Sequence, residues 1–178
     1  MKISITQDLD LRLWQQEDAE TYFNLIDKNR EYLKKWFSWL DSVKSVEDIK
    51  KYIKESTESF ENKTSIDFGI FYKNQSIGSV SANRIDKFHK KADVGYWLDE
   101  EHTGKGIMTS SVKVFTDYLF EELDVNRIEI RVIPENIKSW AIPERLGFTY
   151  DGTLRQDKFL NGKFFDNKIY SLLRSDKG

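Results

Sequence analysis

Apolar positions alternate with polar ones at Leu9, Leu11 and Leu13, around Asp10 and Arg12, which predicts a short half-buried strand. After Glu17–Asp18 the apolar set becomes Ala19, Tyr22, Phe23, Leu25 and Ile26, a helical spacing. An aromatic-rich run, Arg30–Leu40, follows. Ser45 with Asp48 three residues later predicts a capping box on a second helix, through Ile49, Tyr52 and Ile53 towards Phe60. Period two then returns. Ile66–Tyr72 and Ser76–Ala82 flank Lys73–Asn74–Gln75 as a hairpin. A third strand starts near Ala92 and ends at Leu98, and a helix carries Ile107, Val114, Phe115, Tyr118 and Leu119. Arg127–Val132 alternates as a strand. Asn136 can cap a short helix reaching Leu146, with Gly147 as its C′ residue and Pro143 bending it from within. Phe148–Leu160 and Lys163–Leu173 read as a long hairpin around Asn161–Gly162. The order β, α, α, β, β, β, α, β, α, β, β predicts one α+β domain over residues 1–178. Its sheet would be largely antiparallel, with about seven strands and four helices.

Composition narrows the chemistry. A net charge of −2 without a basic cluster argues against nucleic-acid or membrane binding. No apolar run approaches the roughly 18 residues of a membrane span, and the first residues lack a signal-peptide core. By elimination the expected location is cytoplasmic. The absence of cysteine removes disulfides and any thiolate nucleophile or ligand, and with only His89 and His102 no metal site is expected.

The stretch Gly104–Lys105–Gly106 lies where a strand gives way to a helix. Backbone N–H groups lack partners there, the helix dipole is positive, and glycine lets a ligand approach the backbone. That combination suits a phosphate. The helix charges agree, with Lys105 at the start and Glu121–Glu122 at the end, the reverse of the usual preference. The spacing does not fit a P-loop, and Thr109 stands where a dinucleotide fingerprint needs its third glycine. His89 reads as a surface residue, whereas His102, beside the loop, can touch a ligand. Trp36 and Trp39 either pack in the core or wall a substrate cleft.

With Gly95–Tyr96–Trp97–Leu98 before it, Gly104–Lys105–Gly106–Ile107–Met108–Thr109 resembles the acetyl-CoA motif of the GNAT N-acetyltransferases. Glu101 stands where that family carries Gln or Arg. Asn136–Ser139 followed by Leu146–Gly147–Phe148 is similar to a second motif. Asn29–Arg30 to Trp39, and Gly152–Arg155 with Asn161–Gly162–Lys163, Asp166 and Tyr170–Leu173, resemble the RimJ/RimL-type branch.

The resemblance implies a mixed sheet whose two central parallel strands splay apart to admit acetyl-CoA. Gly95, Tyr96, Trp97 and Leu98 would bond the pantetheine arm. The backbone from Thr103 through Gly104, Lys105, Gly106, Ile107 and Met108 to Thr109 would hold the pyrophosphate, and Asn136 would contact CoA. It implies direct transfer of acetyl to a primary amine, with Ser139 contacting CoA and protonating its thiolate, and Asp93 at a position where relatives carry a base. Glu129 and Glu144 are weaker base candidates. Each role has a bland counterpart: Asn136 as a plain cap, Ser139 as helix surface, Asp93 as a structural residue. Trp36 and Trp39 would bind the acceptor, expected to be the N-terminal α-amine of a ribosomal protein. Polyamines and aminoglycosides are the rival acceptors, although no acidic cluster marks a polycation site in the sequence. A CoA-binding sensor without chemistry is the rival class. The expected partners are acetyl-CoA and the amine acceptor, with a homodimer left open.

Overall fold

The structure is a computed structural model and describes residues 1–177. Strands β1 (Lys2–Ser4) and β2 (Leu9–Leu13) precede helices α1 (Ala19–Lys28), α2 (Arg30–Leu33) and α3 (Val46–Glu61). Then come β3 (Ile66–Tyr72), β4 (Gln75–Asp86), β5 (Lys91–Leu98) and α4 (Ile107–Glu122). The chain continues through β6 (Arg127–Val132), α5 (Ile137–Arg145), β7 (Thr149–Leu160) and β8 (Lys163–Leu173). The eight strands form one sheet in the order β1-β2-β3-β4-β5-β6-β8-β7. Every pairing is antiparallel except β5 with β6.

The sheet therefore has eight strands rather than seven, and the helices number five rather than four. The additions are β1, three residues long, and α2, four residues long. Neither is long enough to display a period, and each depends on a neighbour: β1 on its pairing with β2, and α2 on the buried Leu33. The loop between β3 and β4 is also shorter than expected. Lys73 and Asn74 alone form the turn, both at positive φ, and Tyr72 pairs with Gln75. The capping box forms as the sequence predicts, since the Asp48 carboxylate accepts from the Ser45 N–H at 2.9 Å while the Ser45 hydroxyl accepts from the Asp48 N–H.

Strand alternation gives the two sheet faces different tasks. Phe68, Val80, Ala82, Val94, Ile128 and Ile130 point towards α4 and bury its Val112, Phe115 and Leu119. Each such side chain contributes roughly 1.5–3 kcal/mol. On the opposite face α1 and α3 cover one part, with Trp14, Tyr22, Ile26, Ile49, Ile53 and Trp97 as a second core. The rest of that face bears polar side chains and faces a cavity.

Candidate active site

The one parallel pair among the described residues is also incomplete. Pairing of β5 with β6 runs from Lys91↔Arg127 to Val94↔Ile130 and stops there. Strand β5 continues to Leu98, still paired to β4 on its other side as far as Gly78↔Leu98. Gly95–Leu98 thus has one edge without a strand partner, and buried backbone amides need one. Across the gap the Tyr96 hydroxyl donates to the Ser139 carbonyl at 2.9 Å. That carbonyl is free for a local reason. Its helical partner would be the N–H of residue 143, and Pro143 has none. Helix α5 runs through Pro143 to Arg145, and the carbonyl that the proline leaves unpaired anchors the helix to β5. Burial raises the Tyr96 hydroxyl pKa well above that of an exposed tyrosine, which keeps it a donor.

On one side of the gap lies a cavity of about 740 Å3. Thr103, Gly104, Gly106, Ile107, Met108 and Thr109 line its far end, and Tyr96, Trp97, Leu98, Asn136 and Ser139 its near end. Gly104 and Gly106 have φ of +77° and +76°, and a Cβ on either would meet no protein atom within 4 Å. Gly106 is the N-cap of α4, whose first turn carries no acid. Lys138 and Arg145, which the sequence reading missed, line this cavity too, and the Arg145 guanidinium donates to the Thr109 hydroxyl at 3.0 Å. They stand two turns apart on α5, a spacing that marks one helix face only once the helix is placed. The Lys105 ammonium turns back onto the Glu101 carbonyl at 2.9 Å and its side chain does not line the cavity. Asn136 occupies the N-cap position of α5 but its side chain makes no capping bond, and it lines the cavity instead. The His102 ring lines the wall, held by the buried Asp99 carboxylate at 2.8 Å.

On the other side lies a cavity of about 680 Å3. Its floor is the polar part of the sheet face. Register places Asp67, Ser81 and Gly95 side by side across β3, β4 and β5, and Asp93 beside Glu129 across β5 and β6. A Cβ on Gly95 would stand 2.8 Å from the Asn83 amide, so the missing side chain leaves room for that neighbour. Asp67 is almost fully buried and accepts from the Tyr52 hydroxyl at 2.5 Å and from the Ser79 hydroxyl. Burial raises its pKa. Together with Asp48 and Glu55, five acids line this cavity, and they come from four elements distant in sequence, so no run of acids marks it in the sequence. Lys51, Arg131 and Lys158 line the same cavity.

The base candidates separate. Burial alone would raise the Glu129 pKa, but hydrogen bonds and charge from Arg127 and Lys91 outweigh it and hold the pKa at about 2. It is a fixed anion, unsuited to collect protons near neutrality. Glu144 accepts from the Tyr170 hydroxyl at 3.0 Å and lies outside the cavities. Asp93 is half-buried in the wall of the acid-lined cavity and, among the described residues, forms no ion pair.

Between the splayed strands lies a smaller cavity, a neck of about 60 Å3, which shares Gly95, Arg131 and Lys158 with the second cavity, Asn136 and Ser139 with the first, and Tyr96 with both. The two tryptophans fall on different sides. Trp39 walls the acid-lined cavity, with its ring 6.4 Å from that of Trp97, whereas Trp36 walls the glycine-loop cavity and the neck. The Lys158 ammonium donates to the Trp36 carbonyl at 2.7 Å and the Asn161 amide to the Lys34 carbonyl at 3.0 Å, so the β7–β8 hairpin closes over the neck.

Residues 8–149 match the family described as an acetyltransferase (GNAT) domain. The chain is 30% identical to the ribosomal-protein-serine acetyltransferase of Escherichia coli (strain K12), over 95% of this chain and 94% of that one. It is 27% identical to a spermidine N(1)-acetyltransferase of Vibrio cholerae, over 96% of both. Among solved structures, RimL, a ribosomal L7/L12 alpha-N-protein acetyltransferase in complex with coenzyme A, superposes with a TM-score of 0.95 at 28% identity, over 99% of both chains. The fold described above is thus shared over nearly the whole chain, and this chain belongs to the GNAT N-acetyltransferase family.

Proposed function

We propose that the protein moves an acetyl group from acetyl-CoA directly to the N-terminal α-amine of a protein, a ribosomal protein being the favoured acceptor, in the cytoplasm. The observation that carries this reading is the neck: a small cavity between the splayed strands shares Gly95 with one large cavity, Asn136 and Ser139 with the other, and Tyr96 with both. The glycine-loop cavity suits the donor. Backbone N–H groups at the start of α4, with Lys138 and Arg145, would hold its phosphates, and the open edge of Gly95–Leu98 would pair with the pantetheine amides as a strand would. The acetyl group would then lie in the neck.

The amine enters from the acid-lined cavity and attacks the carbonyl carbon. It must be neutral, and Asp93, the unpaired carboxylate of that wall, takes its proton directly or through water. The oxyanion needs a donor, for which a backbone N–H near Tyr96 or Trp97 is suited. As the C–S bond breaks, the Ser139 hydroxyl gives the thiolate its proton. Tyr96 does not compete for that role, because its proton already serves the Ser139 carbonyl.

Two arguments favour an α-amine. At pH 7 roughly a tenth of α-amines are neutral, against well under a thousandth of lysine side chains, so a weak base suffices. Of the five cavity acids, Glu129 is neutralised by its cationic neighbours and Asp67 is closed by hydroxyls, which leaves less charge for a polyamine than the count implies. The test incubates the protein with acetyl-CoA and peptides carrying a free or blocked N-terminus, each with an internal lysine, and with spermidine. Mass spectrometry locates the acetyl group. Label on lysine alone, or on spermidine and no peptide, overturns the reading.

A further inference from the structure

Lys158 is the one basic side chain that reaches both the acceptor-side cavity and the neck without a countercharge. It projects from β7, its Nζ lies 5.6 Å from the centre of the Phe37 ring, and its hydrogen bond goes to the neutral carbonyl of Trp36. Among the described residues no carboxylate comes within ion-pairing distance of it. The charged groups around it, Asp93 excepted, are engaged with one another. From β6, Arg131 is shared between Glu129 at 3.4 Å and Asp157 at 3.6 Å, and Glu129 also holds Lys91 and Arg127. From β7, Asp157 also accepts from Asn167 at 2.9 Å. From β5, Asp93 lines the same cavity unpaired. The Trp36–Phe37 segment offers a carbonyl and a ring but no charge.

We propose that Lys158 is a specificity determinant: a fixed positive charge at the neck that admits the acceptor amine in its neutral form, and so selects a weakly basic α-amine over lysine side chains and polyamines. The inference rests on the acceptor reading above and adds the device that enforces it. A cation in a partly desolvated passage raises the free energy of a second cation beside it. At an effective dielectric constant of about 20 and a separation of roughly 10 Å, this lowers the pKa of the bound amine by about one unit. A lysine side chain needs several units, and a polyamine carries further charges that are repelled whichever nitrogen reacts. Burial draws the pKa of Lys158 itself below the ordinary lysine value, the direction expected of a cation left without a countercharge.

The experiment compares wild type, Lys158→Gln and Lys158→Arg. Both variants keep a donor for the Trp36 carbonyl, so the tie across the neck is retained while the charge is removed or kept. The readout is kcat against pH, which reports ionisations in the bound complex, measured on whichever amine the wild type acetylates. We expect the acidic limb to lie about one pH unit higher in Lys158→Gln, a tenfold loss of kcat on the acid side, with the limb unmoved in Lys158→Arg. The KM for spermidine should fall several-fold in Lys158→Gln only, and the KM for acetyl-CoA should stay unchanged in both. A limb that does not move in Lys158→Gln overturns the proposal, as does an equal shift in Lys158→Arg, which would make the residue a tether. A wrong acceptor class shows in the wild-type products alone, before any variant is compared.

Discussion

Gly106 offers the sharpest separation of binding from folding. At φ +76° it sits where an L-residue is strained, and Ala there costs about 1–2 kcal/mol in the folded state. Part of this is recovered because Ala restricts the unfolded chain by about 0.4–1 kcal/mol. The net loss of about 1 kcal/mol lowers Tm by roughly 2–4 °C in a chain of this length. The new methyl meets no protein atom within 4 Å, so nothing in the protein resists it. The space it enters is the mouth of α4, where a phosphate has to approach the backbone. Displacing a charged group from one or two N–H donors costs about 1.5–3 kcal/mol each, so acetyl-CoA affinity should fall at least about tenfold, and at least about a hundredfold if two are lost. Gly162 supplies the control. It has φ +79° and equally open surroundings, but it lies in the β7–β8 turn, outside the cavities. Gly162→Ala should show a similar Tm loss with unchanged affinity. Calorimetric titration of both variants, each confirmed folded by circular dichroism, decides the matter. Undiminished acetyl-CoA affinity in Gly106→Ala would refute the phosphate site, and an equal loss in Gly162→Ala would reduce it to general destabilisation.

Ser139→Ala should lower kcat about tenfold, the low end for a positioned proton donor, because a thiol of pKa near 8.5 is a fair leaving group unaided. Acetyl-CoA affinity should stay as in wild type, and wild-type turnover would return Ser139 to the helix surface. Glu129 should leave its mark on acid unfolding. Its folded pKa of about 2 lies below the ordinary 4.5, so its contribution is present above pH 4.5 and lost as pH falls towards 2. Urea unfolding should place Glu129→Gln about 3 kcal/mol below wild type at pH 7, with the gap roughly halved near pH 3 and nearly closed by about pH 2; a gap that persists undiminished to pH 2 would show that the charge is not its cause.

What the sequence made legible was whatever repeats locally. The Asn161–Gly162 turn, the Ser45–Asp48 box and the α4 face each rest on residues within a few positions of one another. β1 and α2 escaped because three or four residues carry no period and are held by their neighbours. The acceptor-side cavity escaped for a different reason. Asp67, Asp93 and Glu129 are far apart along the chain, and only strand register brings them onto one face. Lys158 reads in sequence as one exposed position of a hairpin, and its place in the neck depends on where the aromatic run around Trp36 comes to rest.

The bond between Tyr96 and the Ser139 carbonyl has a consequence for how this sequence can drift. Pro143 vacates that carbonyl and Tyr96 occupies it, although the two residues lie on different elements. A chain that regained an N–H at position 143 would give the oxygen a second suitor within its own helix, and the tyrosine hydroxyl would become dispensable or be freed for other work. A chain that lost the hydroxyl while keeping the proline would leave a half-buried acceptor unpaired, at a cost of about 1–3 kcal/mol. Substitutions at the two positions are therefore not independent. What is tolerated at one depends on what stands at the other, and loss of the tyrosine hydroxyl should survive more often where the proline has also changed than where it remains.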